Sequence, residues 1–434
     1  MQLDSSGKFL RKPSILFVWN KDIKNPGAGG GTIELHAVMK RLADKGYRIT
    51  QVSGNFPRSK KSEEVDGINI VRLGKLYTMP FFLWKAQLLN RFIEKFDVVV
   101  EGLGYVSLGL PLVTRRPLMV ICAHLPKEIF FIEGPITMGK PLGYVTATLA
   151  RFIESVLTPR LYKNAKVFTF SESTKKDMVE TGFPENNVIM IPYALAHYTT
   201  HSEDNLKQLS EMNLELVKQE RPSIVCIGRL RKYKGVQDLI KAVPKIKQDF
   251  PDVKVHIVGK GQYEEELKEL AKSLGLEKSV IFPGYITTKE KFELIASSQL
   301  LVMPSYREGF ATPVFEAQLC GTVPVVSDAV GVKELVVPGK TGLVFPRGNS
   351  EALAECVVHL LKDEKLRQQM RENGLQSVKT MDWRKKEEEF IDALEKQIQD
   401  LSGYQPASRS RVSPFNSRMP SGKAETELSP LTSY

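Results

Sequence analysis

The chain has 434 residues, 42% of them hydrophobic and 26% charged, with four cysteines and a formal net charge of +11. That length predicts about two to three soluble globular domains, and the absence of any apolar run near 18 residues argues against a spanning helix. The basic excess leaves three partner classes: nucleic acid, an anionic membrane surface or phosphorylated small molecules. Spread basic residues without a nucleic-acid motif disfavour the first.

The opening MQLDSSGKFLRKPSILFVWN carries an apolar core too short and too late for a secretory signal, so a cytoplasmic protein is expected. Cys122, Cys226, Cys320 and Cys356 are far apart, lie in apolar stretches and read as buried free thiols. The first strand is ILFVW (15–19), followed by the glycine loop PGAGGGTIEL and an amphipathic helix over 32–45. ITQVS, INIVRL, DVVVE, LMVICA, KVFTF and VIMIP follow as strands, with helical segments between most of them. The segment 77–96 has Phe81, Leu88, Leu89, Phe92, Ile93 and Phe96 at helical spacing, with Lys85, Arg91 and Lys95 opposite. It reads as a helix packed on its sheet, or as a surface helix meeting anionic lipid.

The polar stretch 201–221 reads as a connection between domains. A second alternating pattern then runs through SIVCIG, VKVHIVG, VIFPG, LLVMPS, VPVVS and GLVF. Each pattern predicts a parallel sheet with crossover helices, hence two Rossmann-like α/β lobes with a cleft between them. The expected divisions are 1–200, the connection 201–221, 222–380, a charged helix at 381–401 and a disordered Ser/Pro/Arg-rich tail at 402–434.

Chemistry gathers where strands meet helices. In REGFATPVFEAQLCGTVPVVSD, Thr312 is the expected N-cap and Pro313 suits the first helical turn. Glu308 then lies in the loop and Glu316 one turn into the helix, beside backbone N–H groups that attract phosphate. Two carboxylates at such an end suit a sugar nucleotide, although an acid–base couple has the same residues. Arg229 and Lys234, in GRLRKYKG, are expected at the carboxyl edge of the second sheet as a bidentate phosphate ligand and a point charge. Arg231 and Lys232 read as solvated. The glycines of the first loop serve either a plain turn or close approach to phosphate. They are not a dinucleotide fingerprint, since Thr32 stands where the third glycine belongs, and no acidic residue ends the second strand. Gly259 and Gly261 make a further turn, and Tyr285 and Ile286 follow a strand at the same edge, where backbone contacts to a base are expected.

GRL-x-x-x-KG, VGKG, PGY, PSYREGFATPVFEAQLCGTVPVV and, from Gly331, G-x-x-ELV-x-x-GKTGLVF occur in one order. In these motifs the chain resembles the retaining glycosyltransferases of family 4, which have the GT-B fold. The resemblance runs to about residue 400 and is strongest from Gly228 to Pro346. It implies an enzyme moving a hexose from a UDP- or GDP-sugar to a hydroxyl of a glycan, glycolipid or polyprenyl-linked acceptor by front-face attack. It implies that Arg229 and Lys234 neutralise the donor diphosphate, that Glu308 holds the donor sugar and that Glu316 holds the ribose. Gly309, Phe310 and Ala311 would offer backbone N–H groups to the donor, and Gly30 and Gly31 would close over phosphates and acceptor. His124, in ICAHLPKEIFF, matches a histidine contacting the donor sugar, although Ala123-His124-Leu125 departs from the pairs common there. Ser171–Asp177 matches a segment near the hinge, and the helix at 381–401 one that crosses back to the first lobe. No D-x-D motif occurs, which suits a reaction without metal or other cofactor. A sugar phosphorylase and a non-catalytic nucleotide-sugar-binding subunit are the alternatives on the same fold. Nucleic acid is not an expected partner, and peripheral association with the inner face of a membrane is.

Overall fold

Strands buried on both faces belong inside parallel sheets covered by helices, and β1 (Ser14–Val18) is buried at all five positions. The computed structural model describes residues 12–75, 78–104, 107–191, 222–379 and 383–403. In it, β1 is joined by β2 (Arg48–Asn55), β3 (Ser62–Val65), β4 (Ile68–Lys75), β5 (Val98–Gly102), β6 (Leu118–Ile121), β7 (Lys166–Thr169) and β8 (Val188–Met190) in the order β3-β4-β2-β1-β5-β6-β7-β8. Only β3 runs antiparallel, beside β4. Its SEEV sequence, half-exposed and charged, carries no strand signal.

The second sheet holds β9 (Ser223–Ile227), β10 (Lys254–Val258), β11 (Val280–Gly284), β12 (Leu300–Met303), β13 (Val323–Ser327) and β14 (Leu343–Phe345), ordered β11-β10-β9-β12-β13-β14 and all parallel. The direction of winding reverses at β1 in the first sheet and at β9 in the second. Ligands of open α/β sheets bind at the carboxyl ends of strands beside such reversals.

The helix after the first glycine loop is Gly30–Asp44, two residues earlier than periodicity predicts, so Gly30 and Gly31 form its first turn. Leu35, Val38, Met39 and Leu42 pack it on the sheet. The charged terminal helix, Trp383–Ser402, inserts Phe390, Ile391, Leu394 and Ile398 into that same first-sheet core. Ahead of it stand two helices, Ser350–Lys362 and Glu364–Lys379, parted at Asp363.

The segment 77–96 is a helix over only part of its length. Its helix is Met79–Asn90, stopped by Arg91 in a left-handed conformation (φ 49°). Met79, Leu83 and Gln87 face the core, whereas Phe81, Leu88 and Leu89 are exposed. Ile93 is buried in a separate short turn, Ile93–Lys95. Cys122, Cys226 and Cys320 are buried and free as expected, while Cys356 is free but half-buried. Among the described residues no helix is long and apolar enough to cross a membrane. The connection at 201–221 and the tail from residue 404 lie outside the described residues.

Candidate active site

Glu308 and Lys234 meet where the second sheet ends. Lys234 closes a short turn, Lys232–Lys234, after β9, and Gly235 follows at φ 70°. A Cβ on Gly235 would lie 1.9 Å from the Pro304 carbonyl oxygen, so only glycine lets this turn press against the end of β12. Lys234 Nζ then donates to both carboxylate oxygens of Glu308, at 2.5 and 2.7 Å. Ser305 Oγ donates to Glu308 Oε1 at 2.7 Å. The carboxylate is buried, so its charge is held by these donors rather than by water.

Arg229 follows β9 on the surface, and its guanidinium donates to the Tyr233 hydroxyl at 3.2 Å. Gly259 and Gly261 support this loop, since Cβ atoms there would fall 1.9 Å from Gly228 O and 2.0 Å from Leu230 O. Gly29, at the entry to the first helix, brings its Cβ position to 4.0 Å from Arg229 Nε. Lys21, just past β1, has its proton affinity lowered by burial first, then by Arg229 and Arg231. Cations from both lobes therefore converge at one mouth of the cleft.

The helix carrying the second carboxylate is Thr312–Leu319, with Ala311 as its N-cap and no side-chain cap bond. Thr312 is thus the first helical residue rather than the cap. Glu316 is buried and accepts from Lys291 Nζ at 2.6 Å. Lys291 belongs to the neighbouring helix Thr288–Ser297, a contact the spacing of the two glutamates does not reveal. Gly309 packs directly on the other lobe: a Cβ would lie 2.6 Å from Ala123 Cβ. Phe310 is half-buried and Ala311 fully so. Tyr285 and Ile286 follow β11, an edge strand two places from β9, and Tyr285 is exposed. They lie farther along the same edge than Lys234 and Glu308.

Residues 210–377 match the family described as glycosyl transferases group 1. The N-acetyl-alpha-D-glucosaminyl L-malate synthase of Bacillus anthracis is 33% identical over 364 residues, which cover 81% of this chain and 90% of that protein. This chain belongs to the group 1 glycosyl transferases. A second relative is the N,N'-diacetylbacillosaminyl-diphospho-undecaprenol alpha-1,3-N-acetylgalactosaminyltransferase of Campylobacter jejuni, 29% identical over 58% of this chain and 66% of that one. In fold, the chain is similar to HepE from Anabaena, solved with UDP and glucose, at a TM-score of 0.63 and 19% identity over 88% of this chain and all of that one. The two facing parallel sheets are the lobes of a GT-B enzyme.

Across the cleft of this glycosyltransferase stands His124, two residues after a buried Cys122 that follows β6. Its Nδ1 is sealed from solvent and has no hydrogen-bond partner among the described residues. Burial lowers its pKa from 6.5 to about 4; Lys234, Arg307 and Arg229 push the same way and Glu308 opposes them. His124 is therefore neutral at pH 7 and in electrostatic reach of the second-lobe cluster. Since its folded pKa lies below the unfolded one, the unfolded chain binds the extra proton between about pH 6.5 and 4. The stability it contributes is full above pH 6.5 and is lost as pH falls toward 4. We expect His124→Gln to flatten the acid side of the melting-temperature profile in that window; an unchanged slope would assign the acid loss to other groups.

The sequence reading misses what holds the lobes together. Arg307, buried beside Glu308, donates to both Glu128 carboxylate oxygens at 3.2 and 3.0 Å and also pairs with Asp177, both from the first lobe. Asp177 also pairs with Lys127 at 2.7 Å. Arg231, expected to be solvated, instead pairs with buried Glu133 at 2.8 Å. The N-terminus of the helix Glu172–Thr181 donates its Glu172 and Ser173 N–H groups to Glu334 at 3.1 and 2.9 Å. The segment 171–177 thus sits at the lobe contact.

Proposed function

We propose that the enzyme transfers a hexose from a UDP- or GDP-sugar to an acceptor hydroxyl with retention at the anomeric carbon. The observation that carries this reading is the buried Lys234–Glu308–Ser305 cluster, facing His124 across the cleft with Arg229 at its rim. Arg229 and Lys234 take the donor diphosphate, Glu308 the sugar hydroxyls and Glu316 the ribose. Backbone N–H groups of Gly309, Phe310 and Ala311 approach the donor at the start of helix Thr312–Leu319, where the helix dipole favours anions. Gly30 and Gly31 offer the first turn of the facing helix, and Tyr285 and Ile286 flank the base. In the reaction the bond between the anomeric carbon and the diphosphate oxygen breaks with its electron pair on the diphosphate. The acceptor oxygen bonds to the same face, and its proton passes to the departing diphosphate. Rate comes chiefly from fixed positive charge aimed at that leaving group, without a metal. His124, neutral, donates or accepts a hydrogen bond at the sugar rather than carrying charge.

The acceptor is a glycan, glycolipid or polyprenyl-linked hydroxyl. One relative supports the polyprenyl-linked case by the diphospho-undecaprenol in its name, whereas the L-malate synthase names a small hydroxy acid outside this range. We place the enzyme in the cytoplasm, peripheral to the inner face of a membrane. A thermal-shift screen of nucleoside diphosphates tests the donor half. A ligand at 100 times its Kd adds about 2.7 kcal/mol of stability, and UDP or GDP is expected to give that shift. No shift with any nucleoside diphosphate, or release of free phosphate in place of a nucleotide during turnover, would overturn the reading.

A further inference from the structure

Helices Ile129–Met138 and Leu142–Phe152 form a hairpin on the first lobe, pressed together so closely that a Cβ on Gly143 would fall 2.4 Å from the Gly134 backbone. Gly143 and Ala147 face inward. The opposite side of the second helix presents Leu142, Val145, Leu149 and Phe152, spaced three or four residues apart and each more than half exposed. A π-helical turn, Ile153–Leu157, carries the row on to exposed Leu157. In a soluble protein a stripe like this belongs against something apolar.

Charge decides what covers it. Between 129 and 163 the acidic residues are Glu133 and Glu154, and both are buried. Glu133 is taken by Arg231, and Glu154 pairs with Arg151 and accepts from the Lys127 N–H. The exposed charges of the hairpin and its exit are Lys140, Arg160 and Lys163, all positive. Large apolar side chains with cations at both ends of the row in sequence, and no exposed carboxylate between 129 and 163, complement an anionic lipid surface.

The stripe continues sideways. Tyr162 OH accepts from the Leu110 N–H at 3.2 Å, and Trp84 Nε1 donates to Leu108 O at 2.8 Å. The segment 107–112 thus ties the end of the hairpin to helix Met79–Asn90 on the same side of the sheet. There Phe81, Leu88, Leu89 and Leu112 are exposed beside Lys85, Arg91 and Arg115.

We propose that this face, the hairpin 129–163 extended by helix Met79–Asn90, is the surface by which the enzyme sits on an anionic bilayer. The inference rests on the proposed lipid-linked acceptor and names the surface that meets its membrane. The inner helix of the hairpin reaches the cleft through Glu133, which accepts from the Tyr233 N–H next to Lys234. Seating the outer helix in headgroups therefore brings the cleft mouth to within one helix pair of the lipid.

The test is flotation of the full chain with vesicles of phosphatidylglycerol or of phosphatidylcholine, alongside UDP or GDP thermal shift. The wild type is expected to float with phosphatidylglycerol at low salt and to be released by high salt. Leu149→Ser with Phe152→Ser is expected to lower partitioning about tenfold or more. Lys140→Glu with Lys163→Glu is expected to lower binding to the anionic vesicles alone. Both variants should keep the wild-type nucleotide shift, which reads the active site separately. Wild-type protein that stays in the load, or variants that float like it, would overturn the proposal. So would a lipid-free dimer dissolved by Leu149→Ser with Phe152→Ser, which would make the face a contact between two copies.

Discussion

Lys234→Ala is expected to lower kcat/KM for sugar transfer by about 10²–10³-fold, the usual cost of one preorganised donor at developing charge. Lys234 carries two tasks at once. It neutralises the buried Glu308 carboxylate through both oxygens, and in the proposed reaction it neutralises the departing diphosphate. Truncation alone would leave a buried carboxylate with Ser305 as its remaining side-chain donor, at a stability cost of about 3–5 kcal/mol. That cost could masquerade as lost catalysis. Adding Glu308→Gln removes the stranded charge, so the double variant is expected to recover melting temperature but to transfer far more slowly than Glu308→Gln alone. A double variant as active as Glu308→Gln alone would show that Lys234 serves only to satisfy Glu308.

Gly309→Val should abolish most transfer by a different route. The added Cβ alone would lie 2.6 Å from Ala123 Cβ and 2.9 Å from Ala123 O, on the opposite lobe. Both are next to His124, so the lobes must part by an ångström or more to relieve the clash. A misplacement of that size costs about 100-fold when two halves of a site must act together. Nucleotide bound mainly by Arg229 and Lys234 senses the separation less, so kcat is expected to fall far more than nucleoside diphosphate affinity. Small-angle scattering should show a more open molecule than wild type. A variant with near-normal kcat would mean that the Ala123–Gly309 contact is not part of the productive state.

Most strands could be read directly because parallel sheets demand unbroken apolar runs, and SILFV, VVVEG and LLVM have no other use. β3 escaped because an antiparallel edge strand needs only backbone pairing, and Ser62–Val65 supplies little else. The site was legible where chemistry is local in sequence: Arg229 with Lys234, and Glu308 with its helix start. What joins them was not. The pairing of Lys234 with Glu308 spans 74 positions and that of Arg307 with Glu128 spans 179. No periodicity encodes such distances. The hairpin stripe carried no legible signal for another reason. Apolar residues at helical spacing look alike whether they face a core or solvent, and only the position of Gly143 and Ala147 against Gly134 settles which side is inside.

The terminal helix has a consequence for the order of synthesis. Phe390, Ile391, Leu394 and Ile398 complete the core beneath β1 and β5, yet they are translated about 200 residues after β8. At roughly 5–20 residues per second, the ribosome leaves that apolar floor uncovered for about 10–40 s while the whole second lobe emerges. The first lobe is begun first and finished last.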